Sequence, residues 1–451
     1  MKTIDVLLIY EHPERELENI LLLMSELEKR HLRCELLQVP TELLLGNKYY
    51  NKVKMVLVPY MYYNEDLYNC VYKIVGKVNY IINLRWEQVL SVRDEKDVNT
   101  FMYPKQAAKG VKHICWGEIP YQRLLECDIK EANLIISGAL HLDFLRDKLI
   151  KYYKNRIDIY NEFKLDNHSQ TILFISSFSY VNLPEENLDY LKMAMGEKEV
   201  EEFISISCDS QKQILEWFEV LLKKGYTIIY RPHPAENISE LVCTYSEKYS
   251  NFRIIPEYSV KQWILVSDFV LSWISTSYIE AYVANVPCGI LRPFKLSDYF
   301  ETTVLKDIKK IEDLAKLENF LMKENVTEQN DLVEQYYQID DQYAYLKIAD
   351  YIEKIINDSK QQYIWSDEIL NEFNERRKEY LMDVKRLKIV KILYRIISVL
   401  YLKESNNTFI KKVIRYHKDI EADKQLQKKM ADNILNRQIK NIKRKLTEIL
   451  D

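Results

Sequence analysis

The chain has 451 residues, of which 47% are hydrophobic and 29% are charged. At about 150 residues per domain, this length suits about three folded domains rather than a disordered polymer. The 64 Lys and Arg residues are balanced by 68 Asp and Glu residues, so the sequence lacks the basic excess that neutralises nucleic-acid phosphates. We therefore expect no nucleic-acid partner.

Neither a secretion signal nor a membrane span is predicted. The apolar run Val6 to Tyr10 is short and is followed at once by charges, and the longest apolar run, 392–402, is interrupted by Arg395. The 7 cysteines show no CxxC spacing, which argues against a disulfide framework and against a zinc site. We expect reduced thiols in a cytoplasmic protein.

Up to Pro293, short β-rich runs alternate with helical stretches. The first series of predicted strands is Ile4–Tyr10, 34–39, 53–59, 78–84, 112–116 and 134–137, with a helix over 14–30 after the first strand. A polar segment near 153–170 interrupts the pattern, and a second series follows: TILFIS, YTIIYRP, FRIIPE, DFVLSW and PCGIL. Such alternation is typical of mostly parallel sheets with helices on both faces, so we predict an α/β protein with two Rossmann-like domains facing a cleft.

The end of the chain differs in composition. All 8 glycines lie at or before Gly289 and all 11 prolines at or before Pro293, so long helices are predicted beyond that point. Residues 361–451 contain 21 Lys and Arg residues against 13 Asp and Glu residues, a net charge of +8. We predict domains at 1–155 and 165–360 and an all-helical, basic extension at 361–451.

One predicted helix of this extension, 384–403, is unusually apolar. A broad face of Ile, Leu, Val and Tyr surrounds one narrow polar stripe, formed by Lys385, Lys388, Lys391, Arg395 and Ser398. A face of this width has to be covered. The sequence leaves two alternatives open: peripheral contact with anionic lipids at the inner face of the cell membrane, or packing on the helices that follow or in a homodimer.

The stretch YRPHPAE, residues 230–236, follows an apolar run and is expected at the carboxyl end of a strand. Arg231 offers a planar guanidinium for a phosphate, and His233 can donate a hydrogen bond or a proton to a leaving phosphate. The alternative is a proline-locked turn whose arginine and histidine are merely exposed.

A second stretch, 267–291, predicts a strand, the triplet Ser275-Thr276-Ser277 and a helix that carries Glu280. Hydroxyls and free amides at a helix start favour an anion, and Glu280 lies one turn after Thr276, from where it can reach a ribose hydroxyl. The alternative is an ordinary N-cap with a first-turn acid. Together the two stretches predict a site for a nucleotide sugar.

These motifs resemble those of the bacterial surface carbohydrate biosynthesis family of GT-B glycosyltransferases. That group is related to the bacterial sialyltransferases, the Kdo transferases and the teichoic acid glycerophosphotransferases. The resemblance covers about Val78 to Leu291 and includes SGALHLDFLRDKLIKYY (137–153) and FISSFSYVN (174–182). It implies a nucleotide-sugar donor, with a CMP-activated nonulosonic acid or Kdo favoured, and a glycan or lipid-linked glycan acceptor bound by the N-terminal domain.

The resemblance also assigns roles to residues. It implies CMP contacts from His233, Ser275 and Thr276, and the first loop of the C-terminal domain adds Ser176 and Ser177. The family places an acidic residue in a D/E-D/E-G motif at a strand end of the N-terminal domain.

Here the matching stretch reads NLRWEQVL, and it departs from that motif because Arg85 and Trp86 precede a single acid and Gln88 replaces the glycine. We predict Glu87 as the general base that activates the acceptor hydroxyl. The alternative for Glu87 is a surface acid at a helix start. His12, in YEHPE, is the runner-up base, and its alternative role is that of a helix-start residue.

No DxD motif stands at a strand end and the histidines show no ligand spacing, so neither a metal nor a cofactor is predicted. Arg231, His233 and the helix start at Ser275 are expected to hold the leaving phosphate. The resulting prediction is a metal-independent, inverting glycosyltransferase with Glu87 and His233 as catalytic residues. Three alternatives stay open: a UDP-hexose donor, an acyl- or CDP-polyol phosphotransferase of the teichoic acid type, and a non-catalytic glycan-assembly scaffold.

Overall fold

The computed structural model describes residues 3–39, 48–97, 100, 102–322, 330–399, 408, 410–415 and 434–450. The chain divides into two compact units. Unit 1 comprises residues 1–88, 101–140 and 340–451, and unit 2 comprises residues 89–100 and 141–339. The helices beyond residue 340 therefore group with unit 1. The domain ranges predicted from the sequence stay predictions.

Unit 1 is built on a six-stranded parallel sheet. Its strands are β1 (Ile4–Tyr10), β2 (Cys34–Gln38), β3 (Val53–Val58), β4 (Tyr80–Asn83), β5 (Lys112–Cys115) and β6 (Leu134–Ile136). They lie in the order β2-β1-β3-β4-β5-β6, which reverses between β1 and β3. All six strands of the first predicted series are confirmed.

In the part of unit 1 before residue 141, the helices are short apart from the first. They are α1 (Pro13–Lys29), α2 (Asn64–Asp66), α3 (Lys73–Val75) and α4 (Glu118–Glu126), with a π-helical turn at Leu67–Tyr72 between α2 and α3. Helix α1 starts with proline at its first position, where the missing N–H costs nothing. It buries Leu17, Leu21 and Met24 on one face, as the apolar spacing predicts.

Unit 2 contains a second six-stranded parallel sheet, in the order β12-β11-β10-β7-β8-β9. Its strands are β7 (Thr171–Ile175), β8 (Thr227–Arg231), β9 (Phe252–Ile254), β10 (Phe269–Ser272), β11 (Cys288–Leu291) and β12 (Lys310–Ile311). Its helices are α5 (Arg156–Phe163), α6 (Glu185–Met195), α7 (Glu197–Lys223), α8 (Glu240–Lys248), α9 (Val260–Ile264), α10 (Ser277–Val283), α11 (Leu314–Met322) and α12 (Asp331–Tyr337). The two predicted Rossmann-like domains are thus confirmed.

The region after Pro293 is only partly as predicted. Strand β12 and a short 3-10 helix at Thr303–Leu305 precede α11, so the expectation of long helices alone was wrong there. A polar chain without glycine can still add a two-residue edge strand when the neighbouring strand offers free backbone groups, and β12 pairs with β11 in this way.

The C-terminal extension belongs to unit 1, is helical from Asp367 onward in its described part, and packs on the rest of that unit at both ends. Its helices follow α13 (Ala344–Ile355) and are α14 (Asp367–Val399) and α15 (Ile434–Leu450). Trp365 and Phe373 belong to the core that contains β1 and β3, and the Trp365 indole donates to the carbonyl of Val78 at 2.9 Å. Helix α15 packs on α1, where Lys443 pairs with Glu28 at 2.9 Å.

The apolar face predicted over 384–403 is partly described. Ile389, Ile392 and Ile396 of α14 are exposed by 48–60% of their surface, and residues 400–403 lie outside the described part of the chain. Within the described residues, no helix has both the length and the apolar character needed to cross a bilayer.

Candidate functional site

Three loops leave the unit 2 sheet at the point where its strand order reverses. The strand register sets Ile175 of β7 beside Arg231 of β8 and beside Ser272 of β10, so the loops start at the same level. The chain runs from β7 to β9 on one side and from β10 to β12 on the other. Ligands of doubly wound sheets bind outside the carboxyl ends at such a switch point. The residues predicted from the three loops are therefore brought to one edge of one sheet.

The loop after β8 is held in place by the carboxylate of Glu236. Its Oε1 atom accepts the Tyr230 hydroxyl at 2.6 Å, and its Oε2 atom accepts the backbone N–H of His233 at 3.1 Å. The exposed His233 ring accepts the N–H of Ala235 at Nδ1, at 3.2 Å. In the neutral ring the proton is therefore assigned to Nε2, which makes Nε2–H the donor.

Tyr230 lies at the centre of a buried network below this loop. Its hydroxyl is bonded to Ser176 Oγ at 2.8 Å and receives Gln211 Nε2 at 3.4 Å. Burial and the nearby Glu236 carboxylate raise the pKa of Tyr230 well above its usual value, so the hydroxyl stays a donor. Ser176 is 2% exposed and supports the loop through Tyr230, and its direct contact with a nucleotide stays a prediction.

Sequence reasoning missed Glu236 and Tyr230. A signal for Glu236 existed, because an acid three residues after His233 is the spacing at which a carboxylate reaches back to a backbone N–H. No signal existed for Tyr230, whose partners come from a helix and from the loop after β7.

The Arg231 guanidinium is half-buried at the end of β8 and spans to the loop after β9. Nη1 donates to the carbonyl of Glu257 at 2.9 Å, and Nη2 donates to the carbonyl of Tyr258. Burial lowers the pKa of Arg231 to about 10, against the opposing effect of Glu280 and Glu257. The group is therefore a cation at neutral pH, partly committed to holding two loops together.

The loops after β7 and β10 are tied to each other. The backbone N–H of Ile274 donates to Ser177 Oγ at 3.3 Å, across the point where the strand order reverses. The Ser275 hydroxyl accepts the N–H of Ser277, the first residue of α10, at 3.2 Å. Thr276 is the N-cap residue of α10, is exposed, and makes no side-chain capping bond.

Glu280 stands on the first turn of α10, as the spacing predicts, and is half-buried. Its carboxylate is close enough to Arg231 to raise the pKa of that guanidinium. The structure therefore brings Arg231 and Glu280 together although 48 residues separate them in the sequence. The loops that carry both also carry His233 and Thr276.

The predicted base, Glu87, lies in unit 1 in the loop that follows β4. Its side chain is 51% exposed and forms an ion pair with Arg15 on α1. His12 is the N-cap of α1, with Nε2 3.5 Å from a carboxylate oxygen of Glu11. A carboxylate that is paired with a guanidinium has one oxygen engaged, so Arg15 belongs to the setting in which Glu87 would act. The role of base stays a prediction for both residues.

The loop that carries Glu87 is fixed by a buried polar network. His113 donates from Nε2 to the carbonyl of Ala108 at 3.0 Å, and burial lowers the pKa of His113 to about 3, so the ring is neutral. Its Nδ1 atom then accepts the Asn83 amide at 3.2 Å, and Asn83 Oδ1 accepts the backbone N–H of Arg85 at 3.1 Å. Arg85 adopts a left-handed backbone conformation, with φ 49°.

A buried acid near the start of α1 was not foreseen. Glu16 is 3% exposed, and its Oε2 atom accepts the backbone N–H of Glu11 at 2.8 Å. Burial raises the pKa of Glu16 to about 7. The sequence PEREL looks like an exposed first turn, so nothing in it announces a buried carboxyl group.

Among the described residues, no group of three or more His, Cys, Asp and Glu side chains is arranged to hold a metal ion. At the edge of the unit 2 sheet, the described residues place hydrogen-bond donors, a guanidinium and the start of α10.

The fold is of the GT-B type, with two Rossmann-like domains and C-terminal helices. It is similar to that of the wall teichoic acid polymerase TagF, with a TM-score of 0.51 at 13% identity over 79% of this chain and 90% of that chain. A UDP-GlcNAc 2-epimerase from Neisseria meningitidis bound to UDP-GlcNAc gives a TM-score of 0.48 at 15% identity, over 78% of this chain and 100% of that chain. Neither models of known protein families nor curated proteins match the sequence.

Proposed function

We propose that the protein is a glycosyltransferase that moves a sugar from a nucleotide donor to a surface glycan acceptor. The observation that carries the proposal is the placement of Arg231 and His233 at the end of β8 and of Thr276 after β10, on the two strands that flank β7 at the switch point of one sheet. The GT-B fold supports it, because both domains that such a reaction needs are present.

In this proposal unit 2 holds the donor. The Arg231 cation and the Nε2–H of His233 neutralise the charge that develops on the leaving phosphate. The exposed Thr276 hydroxyl adds a donor at the start of α10, and Glu280 accepts from a ribose hydroxyl. The loops after β7 and β10 are shaped by the hydrogen bonds of Ser177, Ser275 and Ser277.

The chemical step is a single displacement. Glu87 takes the proton of an acceptor hydroxyl, whose oxygen attacks the anomeric carbon of the donor sugar. The bond from that carbon to the phosphate oxygen breaks, and the electron pair leaves with the nucleotide. One displacement inverts the anomeric configuration.

We favour a CMP-activated nonulosonic acid or Kdo as donor, on the resemblance of the RPHP and STSxxE motifs. The second candidate is a CDP-polyol phosphotransferase of the teichoic acid type, which the fold similarity to TagF favours. The two reactions differ in the bond formed. A phosphotransferase attacks phosphorus, so its product gains a phosphate that a glycosyltransferase product lacks.

Calorimetry with CMP, CDP and UDP tests the donor site, and turnover with CMP-sugar, CDP-polyol and UDP-hexose donors tests the reaction. Tight CMP binding, and release of CMP with a product that gains a sugar but no phosphate relative to the acceptor, support the favoured donor. A product that gains a phosphate relative to the acceptor supports the phosphotransferase. Binding of none of the three nucleotides would leave only the scaffold interpretation.

Peripheral contact with the cell membrane through 361–451 is also proposed, with a homodimer as its alternative. The exposed residues Ile389, Ile392 and Ile396 form the described part of the surface concerned. Sedimentation with anionic vesicles measures the membrane contact, and the mass of the protein in solution measures the homodimer. Changing all three isoleucines to Glu abolishes whichever association uses this face.

A further inference from the structure

A buried arginine in unit 1 carries donors that no described protein group satisfies. Arg85 is 1% exposed, and its Nε and Nη1 atoms have no hydrogen-bond partner among the described residues. The indole Nε1 of the next residue, Trp86, is equally buried and likewise without a partner there. Buried donors are normally paired, because an unpaired one loses its hydration without compensation. Three such donors on consecutive residues point to a ligand rich in acceptor atoms.

The surroundings of this guanidinium are positive. Arg123 lies within electrostatic range of Arg85 and, together with burial, lowers the pKa of Arg85. The groups that oppose this effect are Cys115 and Tyr62, which are both neutral at pH 7 because burial raises the pKa of each. Among the described residues, no carboxylate oxygen lies within 4 Å of the Arg85 guanidinium. The charge balance therefore calls for an anion.

A second buried arginine shows what compensation looks like in this protein. Arg292, at the end of β11 in unit 2, is 4% exposed, and its Nε and Nη1 atoms also have no hydrogen-bond partner among the described residues. Its charge is nevertheless paired, because Nη2 donates to Glu301 at 3.1 Å. Arg85 is as deeply buried but has no such acid among its described neighbours, so the missing counter-charge sets Arg85 apart from Arg292.

The Arg85 loop is built rigidly. The backbone N–H of Arg85 donates to Asn83, as described above, and the backbone carbonyl of Arg85 accepts Gln88 Nε2 at 3.0 Å. Gln88 Nε2 also donates to the carbonyl of Ile114 at 3.0 Å. Arg123 Nη1 donates to the carbonyl of Gln88 at 2.6 Å. A left-handed arginine fixed by its neighbours on both sides is typical of a functional position.

We propose that Arg85 and Trp86 bind a phosphoryl group carried by the acceptor. A phosphoryl group presents three acceptor oxygens, one for each of the three donors, whereas a carboxylate presents two. Arg123 adds positive charge nearby. Glu87 follows Arg85 by two residues, so a phosphoryl group at this site places the acceptor beside the predicted base. The inference rests on the proposed function, since it specifies the acceptor of that reaction.

Inorganic phosphate is the direct probe. The full chain is titrated with phosphate at constant ionic strength, chloride making up the difference, and binding is followed by calorimetry and by tryptophan fluorescence. Trp86 is half-buried and its indole N–H belongs to the proposed site, so its emission is expected to change on binding. We expect Arg85→Met to weaken phosphate binding at least tenfold.

Arg33→Met is the matched control, because it removes the same charge from an arginine of the same unit that is 49% exposed and pairs with Asp5. Phosphate bound in unit 2 contributes equally to both variants, so their difference reports the Arg85 site alone. Equal affinities of Arg85→Met, Arg33→Met and the original chain overturn the proposal. Trp86→Phe tests the same site if Arg85→Met does not fold, and an unchanged affinity in that variant overturns the proposal too.

The carrier of the phosphoryl group is identified by competition. Displacement of phosphate by glycerol phosphate indicates a soluble polyol phosphate, and displacement by phosphatidylcholine vesicles that contain phosphatidic acid indicates a lipid headgroup. A site that binds phosphate but releases it to neither carrier overturns the acceptor role. CMP affinity of the original chain is measured in parallel. If the original chain does not bind CMP, the proposed donor site is wrong, and the phosphate result is unaffected.

Discussion

The hydroxyl of Tyr230 donates to Oε1 of Glu236 at 2.6 Å. This bond joins the end of strand β8 to the far end of the loop that follows it. Between them lies His233, whose backbone N–H donates to the other oxygen of the same carboxylate at 3.1 Å. Two prolines, Pro232 and Pro234, restrict the rest of the loop. Glu236 is therefore the group that fixes the backbone of the loop at His233.

Replacing Glu236 with Gln is expected to weaken CMP binding by about 1–3 kcal/mol, the range for a hydrogen bond to a charged group. The amide keeps one acceptor oxygen but turns a donor toward either Tyr230 or the His233 N–H. Calorimetry measures the change. Glu240→Gln, on the exposed start of α8, is the control and leaves affinity unchanged. Equal affinity in both variants would show that Glu236 does not position the histidine.

His233→Ala and Thr276→Ala are each expected to lower nucleotide affinity by about 1–3 kcal/mol, because each removes a donor to the phosphate. Thr244→Ala, at an exposed position of α8, is the control. The measurement is the affinity for CMP, CDP and UDP. If all three affinities stay the same in both variants, the assignment of the nucleotide site is wrong.

The sheet of unit 1 was predictable because each strand is a short apolar run between polar turns, as in Ile4–Tyr10. Strand β12 was not, since two residues among charges carry no periodicity. The positions of Arg231 and His233 at a strand end were predictable for the same reason as the strands. Their partners were not, because hydrogen bonds such as that from Tyr230 to Glu236 depend on loop geometry.

The burial of particular charged groups was the feature hardest to predict from the sequence. Arg85 was noticed only as a departure from a familiar motif, and its burial depends on the network from His113 through Asn83. Glu16 looks from sequence like the other acids of the first turn of α1. A helix pattern fixes which face a residue occupies, but not what lies opposite that face.

Glu87→Gln is expected to lower turnover roughly 100-fold or more, the scale of general base catalysis, while CMP affinity stays unchanged. The amide retains the shape of the carboxylate and cannot take a proton. The initial rate with the donor found by screening is the measurement, with Glu126→Gln, an exposed acid at the end of α4, as control. Near-normal turnover would transfer the role of base to His12.

Glu16 predicts a pH dependence of stability with a definite sign. Its pKa is raised from 4.5 to about 7, so between these values the folded chain binds more protons than the unfolded chain. Stability therefore falls as pH rises through that window. Glu16→Gln removes the burial cost of the charge and is expected to raise the free energy of unfolding by up to about 3 kcal/mol at pH 8, and by almost nothing at pH 4.5.

Urea denaturation of Glu16→Gln at pH 4.5, 6 and 8 measures this difference. The control is Glu14→Gln, which changes an exposed acid one half-turn earlier in the same helix. Its effect should be small and the same at each pH. A difference between Glu16→Gln and the original chain that is the same at all three pH values would mean that folding does not raise the pKa of Glu16.

Phe373 decides whether the C-terminal extension is a separate module or part of unit 1. Its side chain is 0% exposed, with ring centroids 5.3 Å from Tyr68 and 5.4 Å from Tyr72. Phe373→Ala is expected to lower the free energy of unfolding by about 3–5 kcal/mol, through lost burial and the cavity left behind. Ile389→Ala, at a residue of the same helix that is 56% exposed, should change it by less than about 0.5 kcal/mol. Denaturation followed by fluorescence measures both, and an unchanged midpoint for Phe373→Ala would show that α14 does not contribute to the stability of unit 1.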